Sequence, residues 1–448
     1  MSVQAATKST DPGIVEQIEI FSNKNEGKSI DLTGGFSSLT YTESIMSDTI
    51  KVNYTFIDTG RGTEGKTVTE ALPLVGQERV VLKFTDNNEN TIGGKKQLTL
   101  YVNKITPVSD STTESILNLE LVSKEYIMNE KKRVTKRMDG KLSDHIKNIL
   151  TSKDYLGTEK TVDIEDTINN YNFFGNNKKP FYTISWLAKK GVSAKSQSLG
   201  KNAGYFFYET YEGFFFKSID GLLEQKPKAK TIFNNTVDFR GENIPEGKDF
   251  KTLKFQKNNN VNVQEKLKMG AFSNRTVVFD PFTCYYEVIT PNVTNNAESS
   301  KLAGKELYLN ESRNKEFDSN KPNEEFSRTT YYLLDKGTAP TGNSKQQIEK
   351  SEEENFEYKK ILNQSLMRYN QFFSSTAGIT IPGNFALHAG DMIHIDLPGL
   401  EKKDNPEVDK KDGGLYIITD ICHTITPDKT LTRCNLARDS YGRKPIER

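Results

Sequence analysis

Two runs of this chain, about 315 positions apart, are alike element by element, and this repetition constrains the fold more than any other feature. The early run is LPLVGQERVVLKF, QLTLYVNKI and LNLELVSKEY; the late run is FALHAGDMIHIDL, GGLYIITDI and RCNLARDSY. Leu100-Tyr101 falls on Leu415-Tyr416, and Leu121 and Tyr126 fall on Leu436 and Tyr441, all at a spacing of 315 positions (101 to 416, 126 to 441). Gly76 and Gly390 stand 314 apart, a slip of one residue that a β-bulge absorbs. A spacing kept over three successive elements favours internal duplication over chance likeness between strand-turn-strand sequences.

Both runs have strand periodicity. Ile18-Ile20, Ile30-Leu32, Val52-Tyr54-Phe56, Val80-Leu82-Phe84 and Leu98-Leu100-Val102 place apolar residues two apart. Polar hairpin loops such as Asp86 to Gly94 lie between them. Late strands are expected at Ile379-Ile381, Met392 to Leu397, Leu415 to Ile421 and Leu431 to Leu436. The late copy has about four strands of its own, so it is expected to borrow the aromatic pair at 204–219, with its turn near Glu212-Gly213.

Between the runs the period changes. Leu142, Ile146, Ile149 and Leu150 predict a helix with Ser143 as N-cap. Pro180 opens another, carrying Phe181, Ile184 and Leu187 on one face and ending before Gly191. A third is expected from Ser351, with Ser351-x-x-Glu354 as a capping box and Tyr358, Ile361, Leu362, Ser365, Tyr369, Phe372 and Phe373 as its face. Within 225–350 only Thr276 to Phe279 and Tyr285 to Ile289 are strand-like. The expected fold class is therefore mainly β with some α: two β-barrels related by duplication, a helix-containing linker and an inserted peripheral region. The expected domains are 1–125, the first barrel; 126–203, the connecting domain; 204–224 with 375–448, the second barrel; and 225–374, the insertion.

Composition narrows the function. With 61 Lys+Arg against 60 Asp+Glu the net charge is +1, which excludes a generally basic nucleic-acid coat or an acidic mimic. Three Cys form no disulfide framework, the N-terminus lacks a secretory h-region, and no apolar run reaches membrane-span length. A cytoplasmically made chain without membrane insertion is expected.

The search for chemistry finds no catalytic, cofactor or metal set. His388, His394 and His423 lie near Cys422 and Cys434, but neither these nor His145 follow a standard ligand spacing. There is no G-x-S-x-G elbow, and the glycine pairs lack the lysine of a phosphate loop. Glu209 and Glu212 could form a carboxylate pair, though solvent-facing strand positions are the simpler expectation. Lys131-Lys132-Arg133 with Lys136-Arg137 is the most basic run; a solvated or intersubunit face is preferred over a phosphate contact. The aromatics at 205–216 suit a barrel core or subunit contact better than a stacking platform.

YIMNEKKRVTKRMDGKLSDHIKNIL (126–150), PFYTISWLAKK (180–190), GYFFYETYEGFFFKSIDGLL (204–223) and the ending from GDMIHIDLPG to ARDSYG (390–442) resemble the central baseplate hub protein of T-even-like contractile-tailed phages. VgrG-type spike proteins and phage late control proteins share that fold. The resemblance covers about 14–223 and 356–442 and leaves 225–355 unmatched. It implies a homotrimer with two tube-protein-like barrels per chain, forming a pseudo-six-fold ring between a hexameric tail tube (or tube initiator) and a trimeric central spike. Further implied are contacts with baseplate wedge proteins, a channel through which genomic DNA passes without specific binding, no catalysis in the hub, and a place in the virion tail after assembly in the host cytoplasm. The alternatives are the hub of a VgrG-like secretion spike, with its spike as a separate chain because this one ends at Arg448, or a tail-associated polysaccharide hydrolase.

Overall fold

The computed structural model describes residues 9–24, 27–60, 65–111, 113–195, 203–233, 248–257, 263–271, 274–281, 284–290, 302–307, 326–334, 343–346, 348, 355, 357–398 and 409–444. It is mainly β. The early alternation forms β1 (Ile14–Phe21), β2 (Ser29–Asp31), β3 (Phe36–Ser44), β4 (Lys51–Asp58), β5 (Arg79–Thr85), β6 (Leu98–Asp110) and β7 (Ser115–Val122). Every second residue points inward, so Ile18, Ile20, Val52, Tyr54, Phe56, Leu82, Phe84, Leu98 and Leu100 meet in one core. Each such side chain contributes roughly 1.5–3 kcal/mol when fully buried. The strands follow the order β1-β5-β6-β7-β4-β3. β2 and β3 belong to one bent segment, broken by a 3-10 turn at Thr33–Gly35. β2 pairs with β1 and β3 with β4, so that segment ties the two ends of the set together.

The middle of the chain supplies α1 (Lys124–Lys131), α2 (Leu142–Thr151), β8 (Val162–Ile164), α3 (Pro180–Ala188), β9 (Tyr205–Thr210), β10 (Gly213–Ser218) and α4 (Ile219–Leu223). The expected faces of α2 and α3 are buried. Ser143 is not the N-cap, however: α2 begins one residue earlier, and the Thr167 hydroxyl accepts from Ser143 N at 3.0 Å. At α3, with Pro180 in the first turn, the side chain of Asn129 accepts from Phe181 N at 2.9 Å. Both helix starts are thus capped from elsewhere in the fold, which a local motif search does not detect.

β9 and β10 do not join the C-terminal strands. They pair with each other, and β10 pairs in parallel with β8, making a separate three-stranded sheet. All six residues of β9 are buried because both faces are covered. Tyr205, Phe207, Phe214 and Phe216 pack among the helices. Phe206 and Tyr208 pack among the C-terminal strands. The aromatic hairpin is a plate between two cores.

The strands that complete the C-terminal set are β11 (Ala229–Ile232), β12 (Phe250–Lys251) and β13 (Lys254–Lys257). After them, α5 (Val263–Met269), β14 (Asn274–Asp280), β15 (Tyr285–Ile289) and β16 (Arg328–Leu333) form a small unit with sheet order β15-β14-β16. It packs on α6 (Tyr358–Phe372), whose Asn363 hydrogen-bonds Asn274 and Thr276. The capping box at 351–354 lies outside the described residues. β17 (Ser375–Pro382), β18 (Met392–Asp396), β19 (Gly414–Ile425) and β20 (Thr430–Arg438) follow.

This second set has the order β11-β18-β19-β20-β17-β13, and one bent segment again ties its ends, β12 on β11 and β13 on β17. One strand departs from the first set: β11 runs parallel to β18, whereas β1 runs antiparallel to β5. Detailed bonding also agrees. Gln77 N donates to Val102 O (2.7 Å) and Val102 N to Glu78 O (3.0 Å); Gly390 N donates to Ile418 O and Ile418 N to Asp391 O (both 2.8 Å). Bulges follow at Val102/Lys104 and Ile418/Asp420. Val102 therefore matches Ile418 and Leu100 matches Tyr416, so the sequence pairing of Leu100 with Leu415 is one residue out.

Residues 229–232 and 250–257 thus stand in the C-terminal set rather than in a peripheral insertion. No closed ring of hydrogen-bonded strands occurs among the described residues. Instead, the second half of β19 pairs with β3, from Asp420↔Ser44 to Ile425↔Leu39, and joins both sets in one fifteen-stranded sheet.

Candidate functional site: a buried polar junction

Where β19 meets β3, the loop before β18 and the β9–β10 hairpin converge on Glu43, which is fully buried. Its carboxylate accepts from Tyr41 Oη (2.6 Å), Tyr211 N (2.9 Å) and Ala389 N (3.0 Å), and lies 3.0 Å from His388 Nδ1. Burial pushes the Glu43 carboxyl up, but the His388 charge and the donated hydrogen bonds outweigh it, and the net shift is downward. Burial likewise disfavours the His388 imidazolium, and Glu43 more than compensates, so that its pKa is raised. Both shifts favour the ionised pair, and the partners come from three segments: Tyr41 on β3 itself, Tyr211 in the β9–β10 hairpin, and His388 with Ala389 before β18.

A second cluster adjoins it. Glu209, also fully buried, accepts from Ser123 Oγ (2.5 Å) and Ile50 N (3.1 Å) and pairs with Lys160. Lys160 also lies 3.3 Å from Glu125, which accepts from Thr158 Oγ1 at 2.6 Å. Burial raises the Glu209 pKa; Lys160 opposes that rise and Glu125 adds to it. The expected solvent-facing position of Glu209 is therefore wrong. β9 is covered on both faces, a situation to which period-two reasoning is blind. Glu212, at the hairpin turn, is exposed, as expected.

The other histidines are dispersed. His145 contacts Tyr171 O (2.9 Å), and burial lowers its pKa. His423 stacks on Tyr41 with ring centroids 5.9 Å apart, bonds Thr432 Oγ1 (2.9 Å) and is held neutral by burial at a pKa of about 4. His394, 3.7 Å from Asp396, is lowered to about 4, again chiefly by burial. Cys422 and Cys434 are unpaired thiols on adjacent strands. No group of three or more His, Cys, Asp or Glu placed to hold a metal ion occurs among the described residues. The basic run is engaged locally: Lys132 with the carbonyls of Lys153 and Asp154, Lys136 with Asp154, and Arg137 with Asp139. What the arrangement can do is hold three regions of the chain in fixed relation.

The chain matches no protein-family model and no curated protein. Among solved structures, it is similar to the 43 kDa tail protein of prophage MuSo2 from Shewanella oneidensis, at 9% identity and a TM-score of 0.50, covering 95% of this chain and 98% of that one. It is also similar to a tail protein from Neisseria meningitidis MC58, at 8% identity and a TM-score of 0.51, covering 94% and 96%. At such identities the likeness is one of fold, and it extends over nearly the whole of each chain. The fold of this chain is similar to that of these two tail proteins.

Proposed function

We propose that this chain is a structural hub subunit of a contractile phage tail baseplate. Three copies form a pseudo-six-fold ring that joins a hexameric tail tube to a trimeric central spike, contacts wedge proteins and lines a channel for DNA in the virion. The role is mechanical, and no residue is assigned to catalysis, a cofactor or a metal.

The observation that carries this reading is the β19–β3 pairing between two strand sets of the same order. The first-set counterpart of the second half of β19 is the second half of β6, which pairs with β7 on one side only among the described residues. The second-set counterpart of β3 is β13, which pairs with β17 on one side only among the described residues. One chain therefore offers both halves of the contact that already joins its own two sets. Applied between copies, the contact is heterologous and closes as a ring when the rotation permits. Three copies supply six sets. Pro107 and the bulges of β6 guard this edge against arbitrary strands. The duplicated-barrel reading gains the same support, since each set is tied end to end by one bent segment.

Carrying the internal register across places Ser109 of one copy opposite Gln256 of the next. A Ser109→Cys, Gln256→Cys chain, with exposed Cys284 changed to Ser, is expected to give disulfide-linked dimers and trimers on mild oxidation. Exclusive recovery of monomer, with each single variant behaving identically, would contradict the ring.

A further inference from the structure

A cleft of about 890 Å³ opens between α3, α6, β9 and the α5–β16 unit, away from the polar junction. Its walls are apolar: Trp186, Phe206, Met269, Leu362, Leu366 and Phe373 line it. That volume lies in the range of small-molecule sites rather than packing defects. Two serines in the lining have hydroxyls without a hydrogen-bond partner, Ser365 at 3% and Ser374 at 5% exposure. Both hydroxyl oxygens are shut off from the cleft surface, so the polar contacts open to a ligand there are those of the charged lining.

The charged lining leans positive. Lys189, Lys190, Lys266 and Arg328 face Asp48 and Glu265. Lys190 sits over the Trp186 ring at 3.4 Å, and Lys266 donates to the carbonyls of Asn370 (3.2 Å) and Phe373 (2.9 Å). Arg328 donates to Met269 O (2.9 Å), which leaves further guanidinium donors, and Lys189 is exposed at the rim. We propose that this cleft binds a small amphiphile, with an apolar chain along Trp186 and Leu366 and a carboxylate directed to the cations Arg328 and Lys189.

Trp186 is the only tryptophan of the chain, so its emission reports on this cleft alone. Bromododecanoate, titrated into the full chain below its micelle concentration, is expected to quench Trp186 saturably, because bromine quenches on contact. Lys189→Glu and Arg328→Glu are each expected to weaken binding by about fivefold, the scale of one partly exposed ion pair. Ser374→Leu, which fills the cleft, is expected to abolish it. Bromododecylamine should bind markedly more weakly than the carboxylate. Non-saturating quenching, equal binding of amine and carboxylate, or unchanged affinity in Lys189→Glu would overturn the assignment. Because Lys189 is exposed, that variant tests the proposal even if Ser374→Leu fails to fold.

Discussion

Glu43 and His388 stand 345 positions apart in sequence and 3.0 Å apart in the structure, one on β3 of the first strand set and the other in the turn before β18 of the second. Removing one member of a buried ion pair leaves an uncompensated charge, at a cost of about 3–5 kcal/mol. His388→Ala is therefore expected to lower unfolding free energy by about that much in urea titrations. The double variant with Glu43→Gln should cost less than the two single changes combined.

The same pair gives a pH dependence. Unfolded, the two groups titrate near about 4.3 and about 6.5. The lowered carboxyl contributes stability above about pH 4.3 and loses it as pH falls through the folded value. The raised imidazole contributes below about pH 6.5 and loses it as pH rises through its folded value. The stability gap between the parent chain and His388→Ala should be widest between those limits and narrow on both sides. A gap flat from pH 4 to 9 would show that the pair is not ionised.

Lys160 and Glu209 should respond unequally. Lys160→Met strands two buried carboxylates and is expected to cost about 3–5 kcal/mol. Glu209→Gln keeps an acceptor oxygen for Ser123 and Ile50 and leaves Glu125 beside Lys160, so a cost below about 1 kcal/mol is expected. Denaturant titration of both variants checks the contrast; equal costs would refute it.

Gly390 and Gln77 occupy matching turn positions, with φ of 88° and 67°. A Cβ on Gly390 would lie 2.8 Å from Tyr208 Cζ, so Gly390→Ala combines left-handed strain with a clash, at about 2–4 kcal/mol. Gln77→Gly should instead stabilise by up to about 1 kcal/mol. Thermal unfolding of the two variants should shift in opposite directions.

Leu100 is fully buried, whereas Leu415 only packs against the edge of its core. Leu100→Asp is expected to cost more than about 4 kcal/mol and to unfold the first set; Leu415→Asp should cost about 1–2 kcal/mol. Soluble yield and urea midpoints distinguish the two. Similar losses would restore the pairing of Leu100 with Leu415.

The sequence is most legible where one face of an element is dry and the other wet. β1, β4 and the first half of β6 alternate because they have one core side, and α2 has its buried stripe for the same reason. The aromatic hairpin is recognisable as two strands, but its membership is not, since burial on both faces erases the alternation that tells which core a strand serves. β11, β12 and β13 are too short, at four, two and four residues, for any period to register. The spacing of 315 is a mean: bulges set the local value at 313 in the turn (77 to 390) and 316 on the next strand (102 to 418). The polar junction lay beyond reach altogether, because Glu43, His388, Lys160 and Glu209 acquire their partners only through tertiary structure.

The ring is tested most directly by the mass of the full chain in solution, measured by light scattering across a range of concentrations. Three chains of 50.7 kDa give about 152 kDa, and that species is the expected result. A particle that stays at 50.7 kDa at every concentration, and still does so when a trimeric spike protein is added, would contradict the account.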